Sequence, residues 1–317
     1  MGSHPKVVIA LGGNALQEAH APATAEAQLA VVKKTAEIIT DIKCIYGYEL
    51  AIVHGNGPQI GRILLASELA AEQTPPFPLD VCAAMSQGYI GYHIQQGLRQ
   101  ALAGRKRPLP VVTLVTQVVV DPADPAFHNP TKPIGPFYQA AEARRLMAER
   151  QFAMIEDAGR GWRRVVPSPL PRRIVEIQSI KALWDSTIVI AAGGGGIAVV
   201  EKPDGTFAGV AAVIDKDLAA AKLAEEVGAD ILMILTGVER VALHYQQPNQ
   251  QALDRLTVAE CEQYIWEGHF APGSMLPKVQ AAAAFARLHP EKKAIITSLE
   301  RAVDALAGKA GTAVTLN

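Results

Sequence analysis

The sequence predicts an α/β fold, a mostly parallel sheet covered by helices. Three observations predict it. Short apolar runs alternate with longer amphipathic stretches along almost the whole chain, the pattern of strand–helix–strand units. Three of the apolar runs end in glycine-rich corners: Leu11-Gly12-Gly13-Asn14, His54-Gly55-Asn56-Gly57 and Gly193–Gly196. The alternation is interrupted once, by a proline-dense segment of a different character.

In order, VVIALGG (7–13) reads as a short buried strand running into Gly-Gly-Asn. A helix follows over 24–45, with Gly47 as its natural stop. ELAIVHGNG (49–57) repeats strand and glycine turn. Helices cover 58–72 and 80–103, and PVVTLVTQVVV (110–120) is one or two strands. Residues 121–136 read DPADPAFHNPTKPIGP, where the prolines exclude a regular helix or a central strand. AAEARRLMAER (140–150) is helical, and RGWRRVVPSPLP (160–171) is strand-like with prolines. A structureless loop of that length is uncommon in a compact domain, so 121–170 reads as an inserted, protruding subdomain. Beyond it come a helix over 174–183, a strand over 187–192, the glycines, and the β-rich run VVEKPDGTFAGVAAVI. Then follow a helix over 217–227, a strand over 229–238, helices over 257–267 and 274–288, and strands over 293–298 and 312–316.

Composition narrows the function. Apolar residues make up 49% of the 317 positions and charged residues 19%, a folded composition. A net charge of −1 gives no general attraction to nucleic acid or anionic membrane, and 5% aromatics leave little for base stacking. No nucleic-acid or membrane partner is expected. Cys44, Cys82 and Cys261 share no metal spacing and read as free thiols of a reducing cytosol. The N-terminal MGSHPK lacks the apolar core of a signal peptide, and no apolar run is long enough to span a bilayer. A cytoplasmic protein is expected.

The four glycines fit a dinucleotide fingerprint. Gly193 to Ala198 satisfies G-x-G-x-x-A, and Asp215 stands 22 positions after Gly193, near the place of a ribose-binding acid. That fingerprint must open a helix, whose N-terminus holds the pyrophosphate. Here Pro203-Asp204-Gly205 is a turn between two β-rich runs, so a hairpin follows instead. The remaining roles are close approach of a ligand and tight packing of a turn, both of which glycine permits.

In an open parallel sheet the strand C-termini gather along one edge, where ligands bind. Three glycine corners there, two with asparagine donors, form a set of anion-binding backbone cradles. Three lysines supply cations. Lys216 lies between Asp215 and Asp217 after the apolar run VAAVI. Lys278 sits inside a helix after Gly273 and Ser274. Lys132 is gripped between prolines in PTKPIG. A lysine is ordinarily a solvated surface group, and these three are singled out by their neighbours. His54 is ordinarily a strand-end histidine held by a carbonyl. Met275 is ordinarily core.

At these residues the sequence resembles the amino acid kinase family and, within it, the carbamate kinase branch. The motifs are VVIALGGNAL (7–16), VHGNGPQIG (53–61), PTKPIGPFY (130–138), RRVVPSP (163–169), AAGGGGIAVV (191–200), VIDKDLAAAKLA (213–224) and PGSMLPKVQAA (272–282). They occur in the family's order and span nearly the whole chain. Many family members carry a lysine in the first strand, as K-L-G-G. Here that place is Ala10, and the carbamate branch likewise lacks the lysine.

The resemblance implies a three-layer α/β/α sandwich with an open central sheet and a protruding subdomain. It implies one domain over 1–317, with an acceptor-side lobe at 1–187 that includes the 121–170 lid and a nucleotide-binding lobe at 188–317. It implies ATP + carbamate ⇌ ADP + carbamoyl phosphate with Mg²⁺ and no named protein ligand to the metal. The reaction would often run toward ATP in arginine or purine/allantoin breakdown, in a homodimer with a continuous sheet. The alternatives are a related carboxylate kinase acting on an amino acid, and a sensor of the same fold without turnover.

On this reading Lys216 and Lys278 hold the phosphates and the moving phosphoryl group, and Asp217 orients them by pairing. Lys132 supplies the charge that Ala10 does not. Gly12, Gly13, Asn14, Gly55, Asn56 and Gly57 cradle the acceptor. Gly193, Gly194, Gly195, Asp215, Thr236, Gly237, Val238, Ser274 and Met275, with Lys216 and Lys278, line the nucleotide side. One departure stands out. A lysine often follows VVPSP in the branch; here it is Leu170, with Arg172 and Arg173 just beyond as replacements.

Overall fold

A computed structural model of the chain describes residues 4–17, 22, 24–157 and 159–317. The first part of the chain runs β1 (Lys6–Leu11), α1 (Ala25–Tyr46), β2 (Glu49–His54), α2 (Gly57–Leu69), α3 (Leu79–Gly104), β3 (Val111–Thr113) and β4 (Gln117–Val120). The segment that breaks the alternation holds β5 (Lys132–Tyr138), α4 (Ala140–Arg150), β6 (Met154–Glu156) and β7 (Trp162–Val166). The middle runs β8 (Pro171–Ile174), α5 (Ile177–Trp184), β9 (Ile188–Ile190), β10 (Ile197–Glu201), β11 (Phe207–Gly209), α6 (Lys216–Val227) and β12 (Ile231–Thr236). The chain ends with β13 (Val241–Leu243), β14 (Gln251–Leu253), β15 (Arg255–Thr257), α7 (Val258–Trp266), α8 (Met275–Ala286), β16 (Lys293–Ser298), α9 (Ala302–Leu306) and β17 (Thr312–Thr315).

Eight strands form the main sheet in the order β15-β17-β16-β12-β1-β2-β9-β3. Every neighbouring pair is parallel except β16 with β17. Side chains alternate across a strand, so each central strand feeds two cores. Val8 and Ala10 of β1 and Ala51 and Val53 of β2 pack with α6 and α8. Val7, Ile9, Leu11, Leu50 and Ile52 pack with α1 and α3. These are the three layers. A strand buried on both faces reads as an unbroken apolar run, which is why β1, β2 and β12 stand out in the sequence.

Local chemistry sets the helix ends. The Thr24 side chain accepts from the Ala27 N–H to cap α1, and Gly47 closes it in the left-handed region at φ 68°. The run 110–120 splits because its halves join different sheets. β3 is an edge of the main sheet, whereas β4 sits between β8 and β10 in a second sheet ordered β11-β10-β4-β8. β10 and β11 pair antiparallel, the hairpin expected from Pro203-Asp204-Gly205. The proline-dense stretch supplies β5, the edge strand of a separate antiparallel sheet β5-β7-β6.

Two expectations are corrected. The helix expected from 174 starts at Ile177, because Ile174 pairs with Val118 of β4. VAAVI (210–214) is not a strand. It is a mostly buried, irregular link tied at Val213 N–H to the Pro167 carbonyl, 2.9 Å.

Candidate active site

The parallel strands deliver their glycine corners to one edge. Gly12–Asn14 follows β1, Gly55–Gly57 follows β2, and Gly237 follows β12. The N-termini of α2, α6 and α8 converge on the same edge. Their positive dipole ends suit anions. Between them lies a run of three adjoining cavities. The first, about 220 Å³, is bounded by Gly55, Asn56, Gly57, Gln59, Lys132 and Asp215, among others. The second, about 300 Å³, is lined by Gly12, Gly13, Asn14, Thr236, Ser274 and Glu300. Lys216, Lys278 and Gly13 border both. The third, about 720 Å³, opens beyond Asn14, Thr236, Gly237 and Ser274, and is walled by Val238, Met275, His244, Tyr245 and Phe270.

Two carboxylates organise the charged centre. Asp217, 2% exposed, takes Lys216 Nζ on Oδ1 at 2.5 Å and Lys278 Nζ on Oδ2 at 2.9 Å. Asp215 caps α6 with Oδ1, accepting the Asp217 N–H at 2.9 Å, and receives Lys132 Nζ on Oδ2 at 2.5 Å. Three ammonium groups from three distant motifs thus meet around two carboxylates, leaving a formal excess of one positive charge. Burial pulls the Lys216 ammonium below its usual pKa; Asp217 opposes this and Lys278 adds to it. Burial acts to raise the Asp215 carboxyl, but the charge and hydrogen bond of Lys132, with Lys216, hold it at about 2. Among the described residues there is no group of three or more His, Cys, Asp or Glu side chains able to hold a metal ion.

The four glycines are packed closely against their neighbours. A Cβ on Gly193 would come 2.3 Å from His54 Nε2, one on Gly194 2.1 Å from Asn56 Nδ2, one on Gly195 2.2 Å from the Ile214 carbonyl oxygen and one on Gly196 2.1 Å from Val118. The Gly193 carbonyl is also held by the buried Gln87 amide at 3.0 Å. Gly193 and Gly195 border none of the three cavities, and Gly194 borders only the smallest. These glycines let the chain after β9 turn tightly against His54, Asn56 and the link before α6. Asp215 likewise borders the smallest cavity, not the largest.

His54 is a packing residue of the same turn. Its Nδ1 donates to the Gly55 carbonyl at 2.9 Å, and burial drives its pKa down to about 4, against that hydrogen bond. Asn56 spends its amide N–H on Ser86 Oγ at 2.8 Å, which leaves the backbone of this corner to face the cavity. Ala10 is fully buried in the core. The Leu170 side chain is exposed, while its N–H is bound by Asp124. Arg172 and Arg173 pair with Asp121 and Glu201 on the surface, so neither enters the cleft in place of the missing lysine.

The sequence reading missed the far wall of the largest cavity. Residues from Arg240 to Gln247 and from Gly268 to Ala271 build it, partly through the β13–β14 hairpin. Its strands are three residues each, too short for a periodic signal; the turn-rich QQPNQQ between them was the available clue. Gln59 was also passed over.

Fold and cleft together define a phosphoryl-transfer enzyme of the open α/β kind, with its cations gathered at the strand C-termini. Comparison with known proteins narrows the class. Residues 5–298 match the amino acid kinase family, and the chain belongs to that family. It is 53% identical to the carbamate kinase of Pyrococcus horikoshii over 313 residues, 98% of this chain and 99% of that one. It is 52% identical to the carbamate kinase of Clostridium perfringens over 98% of this chain and 99% of that one. A solved carbamate kinase from Giardia lamblia bound to AMP-PNP superposes with a TM-score of 0.91 at 46% identity, covering 99% of each chain.

Proposed function

We propose that this protein is a carbamate kinase catalysing ATP + carbamate ⇌ ADP + carbamoyl phosphate. The observation that carries the reading is the Lys216–Asp217–Lys278 bridge at the junction of a small cavity and a larger one, in a chain about half identical to carbamate kinases over its full length. The chemistry asks for such a junction. Carbamate and the γ-phosphoryl group are both anionic, and two like charges ~4 Å apart repel by about 4 kcal/mol at an effective dielectric near 20. Phosphoryl transfer needs alignment and charge stabilisation more than covalent help.

Each residue takes a part. Lys216 and Lys278, held by Asp217 in fixed directions, neutralise the moving phosphoryl group. Lys132, presented by β5, adds positive charge from the acceptor side. The Gly12–Asn14 and Gly55–Gly57 corners turn backbone N–H groups toward the acceptor and phosphate oxygens. Thr236, Gly237, Val238, Ser274 and Met275 line the adenosine end. Mg²⁺ would be held by the nucleotide phosphates and water, where it would spread the phosphate charge. Residues 1–187 form the acceptor-side lobe with 121–170 as its lid, and 188–317 form the nucleotide lobe. The working unit is a cytoplasmic homodimer that runs toward ATP on carbamoyl phosphate from arginine or purine/allantoin breakdown.

Phosphorus NMR tests the reaction. With enzyme, Mg²⁺, ADP and carbamoyl phosphate, the carbamoyl phosphate signal should be replaced by the γ-phosphate of ATP. Release of inorganic phosphate alone, with no ATP, sinks the proposal.

A further inference from the structure

We propose that Gln59 reads the nitrogen of the acceptor, and this rests on the carbamate reading above. Its amide oxygen accepts a hydrogen bond from the N–H of carbamate or carbamoyl phosphate. That bond separates the substrate from acyl groups that carry a methyl in place of the amino group.

Gln59 is the third residue of α2 and borders the smallest cavity beside Lys132, Lys216 and Lys278. It is 3% exposed, and its Oε1 is buried with no hydrogen-bond partner among the described residues. A glutamine at this helix position commonly folds back onto the N-cap N–H. Here no side chain caps α2, and the N-cap Asn56 donates to Ser86 instead. An uncapped helix start and an unpaired buried amide in the same turn cost stability without a structural return. A ligand that completes the amide supplies that return.

The chemistry of the cavity says which ligand. Its three lysines and the N–H groups at the start of α2 donate, and they can recognise only oxygens. Carbamate differs from acetate by its N–H donors, so telling the two apart requires an acceptor. Gln17, another amide at this cavity, already has its oxygen engaged by Gln28 at 3.2 Å. Asp215 and Asp217 are held by the lysines.

The test compares carbamoyl phosphate with acetyl phosphate as phosphoryl donors to ADP, using the purified full chain. The wild-type kcat/KM ratio should favour carbamoyl phosphate by at least ~10-fold, and Gln59→Met should lower that ratio by roughly 10- to 100-fold while leaving acetyl phosphate within ~3-fold of wild type. Gln59→Glu, which keeps an acceptor, should slow both donors by adding negative charge but hold the ratio. Equal loss on both donors in Gln59→Met, an unchanged ratio there, or a collapsed ratio in Gln59→Glu overturns the role. Where a variant does not fold, the wild-type ratio still decides, because a value near one means that nothing reads the nitrogen. Wild-type protein that makes no ATP from carbamoyl phosphate overturns the functional reading itself, a distinct result.

Discussion

Lys132 Nζ lies 2.5 Å from Asp215 Oδ2, joining the edge strand of the protruding sheet to the residue that caps α6. One contact thus ties the segment that carries Lys132 to the helix that carries Lys216. The largest cavity lies elsewhere and does not include Lys132. Lys132→Ala should therefore cut single-turnover phosphoryl transfer by ~100-fold or more while ADP affinity stays within a few-fold of wild type. Calorimetric ADP titration beside rapid-quench turnover checks this. Equal loss in both, or in neither, contradicts it.

The same pair sets an acid limit. The folded Asp215 carboxyl sits at about 2, below its ordinary 3.8. A depressed carboxyl contributes stability that is fully present above its unfolded pKa and is lost as pH falls through the folded value. The wild-type chain should keep this contribution above about pH 4 and lose it toward pH 2. In Lys132→Ala the main cause of the depression is gone, so acid unfolding should begin at higher pH. Superimposable acid-unfolding curves for the two proteins would show that the pair contributes nothing.

Lys216 shows function set against stability. Burial lowers its pKa, so between the lowered value and the ordinary 10.5 the unfolded chain binds more protons and stability rises with pH. Lys216→Met removes the buried charge and leaves Asp217 paired with Lys278. Turnover should fall at least ~100-fold, the usual cost of losing one preorganised charge-stabilising donor. The melting temperature should hold or rise at neutral pH, and the alkaline rise in stability should flatten. Near-normal turnover in this variant would remove Lys216 from the chemistry.

Gly193→Ala separates packing from nucleotide binding. The added methyl would meet His54 Nε2 at 2.3 Å, in a turn with no slack. Overpacking of this kind costs about 1–3 kcal/mol. Thermal unfolding should shift down accordingly, with ADP affinity unchanged in the folded fraction. A stable variant that loses ADP binding would restore the glycines to the nucleotide site.

Much of this architecture was legible because doubly buried strands and capped helices leave strong local signals. β1, β2 and β12 are unbroken apolar runs, and α1 is bracketed by Thr24 and Gly47. Lys132, Lys216 and Lys278 were legible as candidates because each has unusual neighbours for a surface lysine. Their partners were less so. Nothing local says that Asp217 grips both its neighbour Lys216 and Lys278, 61 residues further on, or that Asp215 is both a helix cap and the seat of Lys132. The glycines were ambiguous because Gly-rich turns that admit a ligand and turns that admit a neighbouring side chain look alike in sequence. Only the fold brings His54, Asn56, Ile214 and Val118 against them. The strands β13, β14 and β15 escaped notice because three residues are too few to show a period.

Adenine nucleotide should protect the chain against heat and NAD should not, because the cavity beyond Thr236 is lined by residues unrelated to the glycine turn. Ligand at 100 times its dissociation constant adds about 2.7 kcal/mol. Differential scanning fluorimetry with ADP, ATP and NAD reads this directly. A shift with NAD alone would revive the dinucleotide reading of Gly193–Ala198.

The central claim is most directly tested by the steady-state rate of ATP formation from ADP and a panel of acyl phosphates, with carbamoyl phosphate among them. The account predicts the highest kcat/KM with carbamoyl phosphate and a loss of at least ~100-fold in Lys216→Met. A larger aminoacyl phosphate that outcompetes carbamoyl phosphate, or folded and nucleotide-stabilised protein that makes no ATP from any donor, would contradict it.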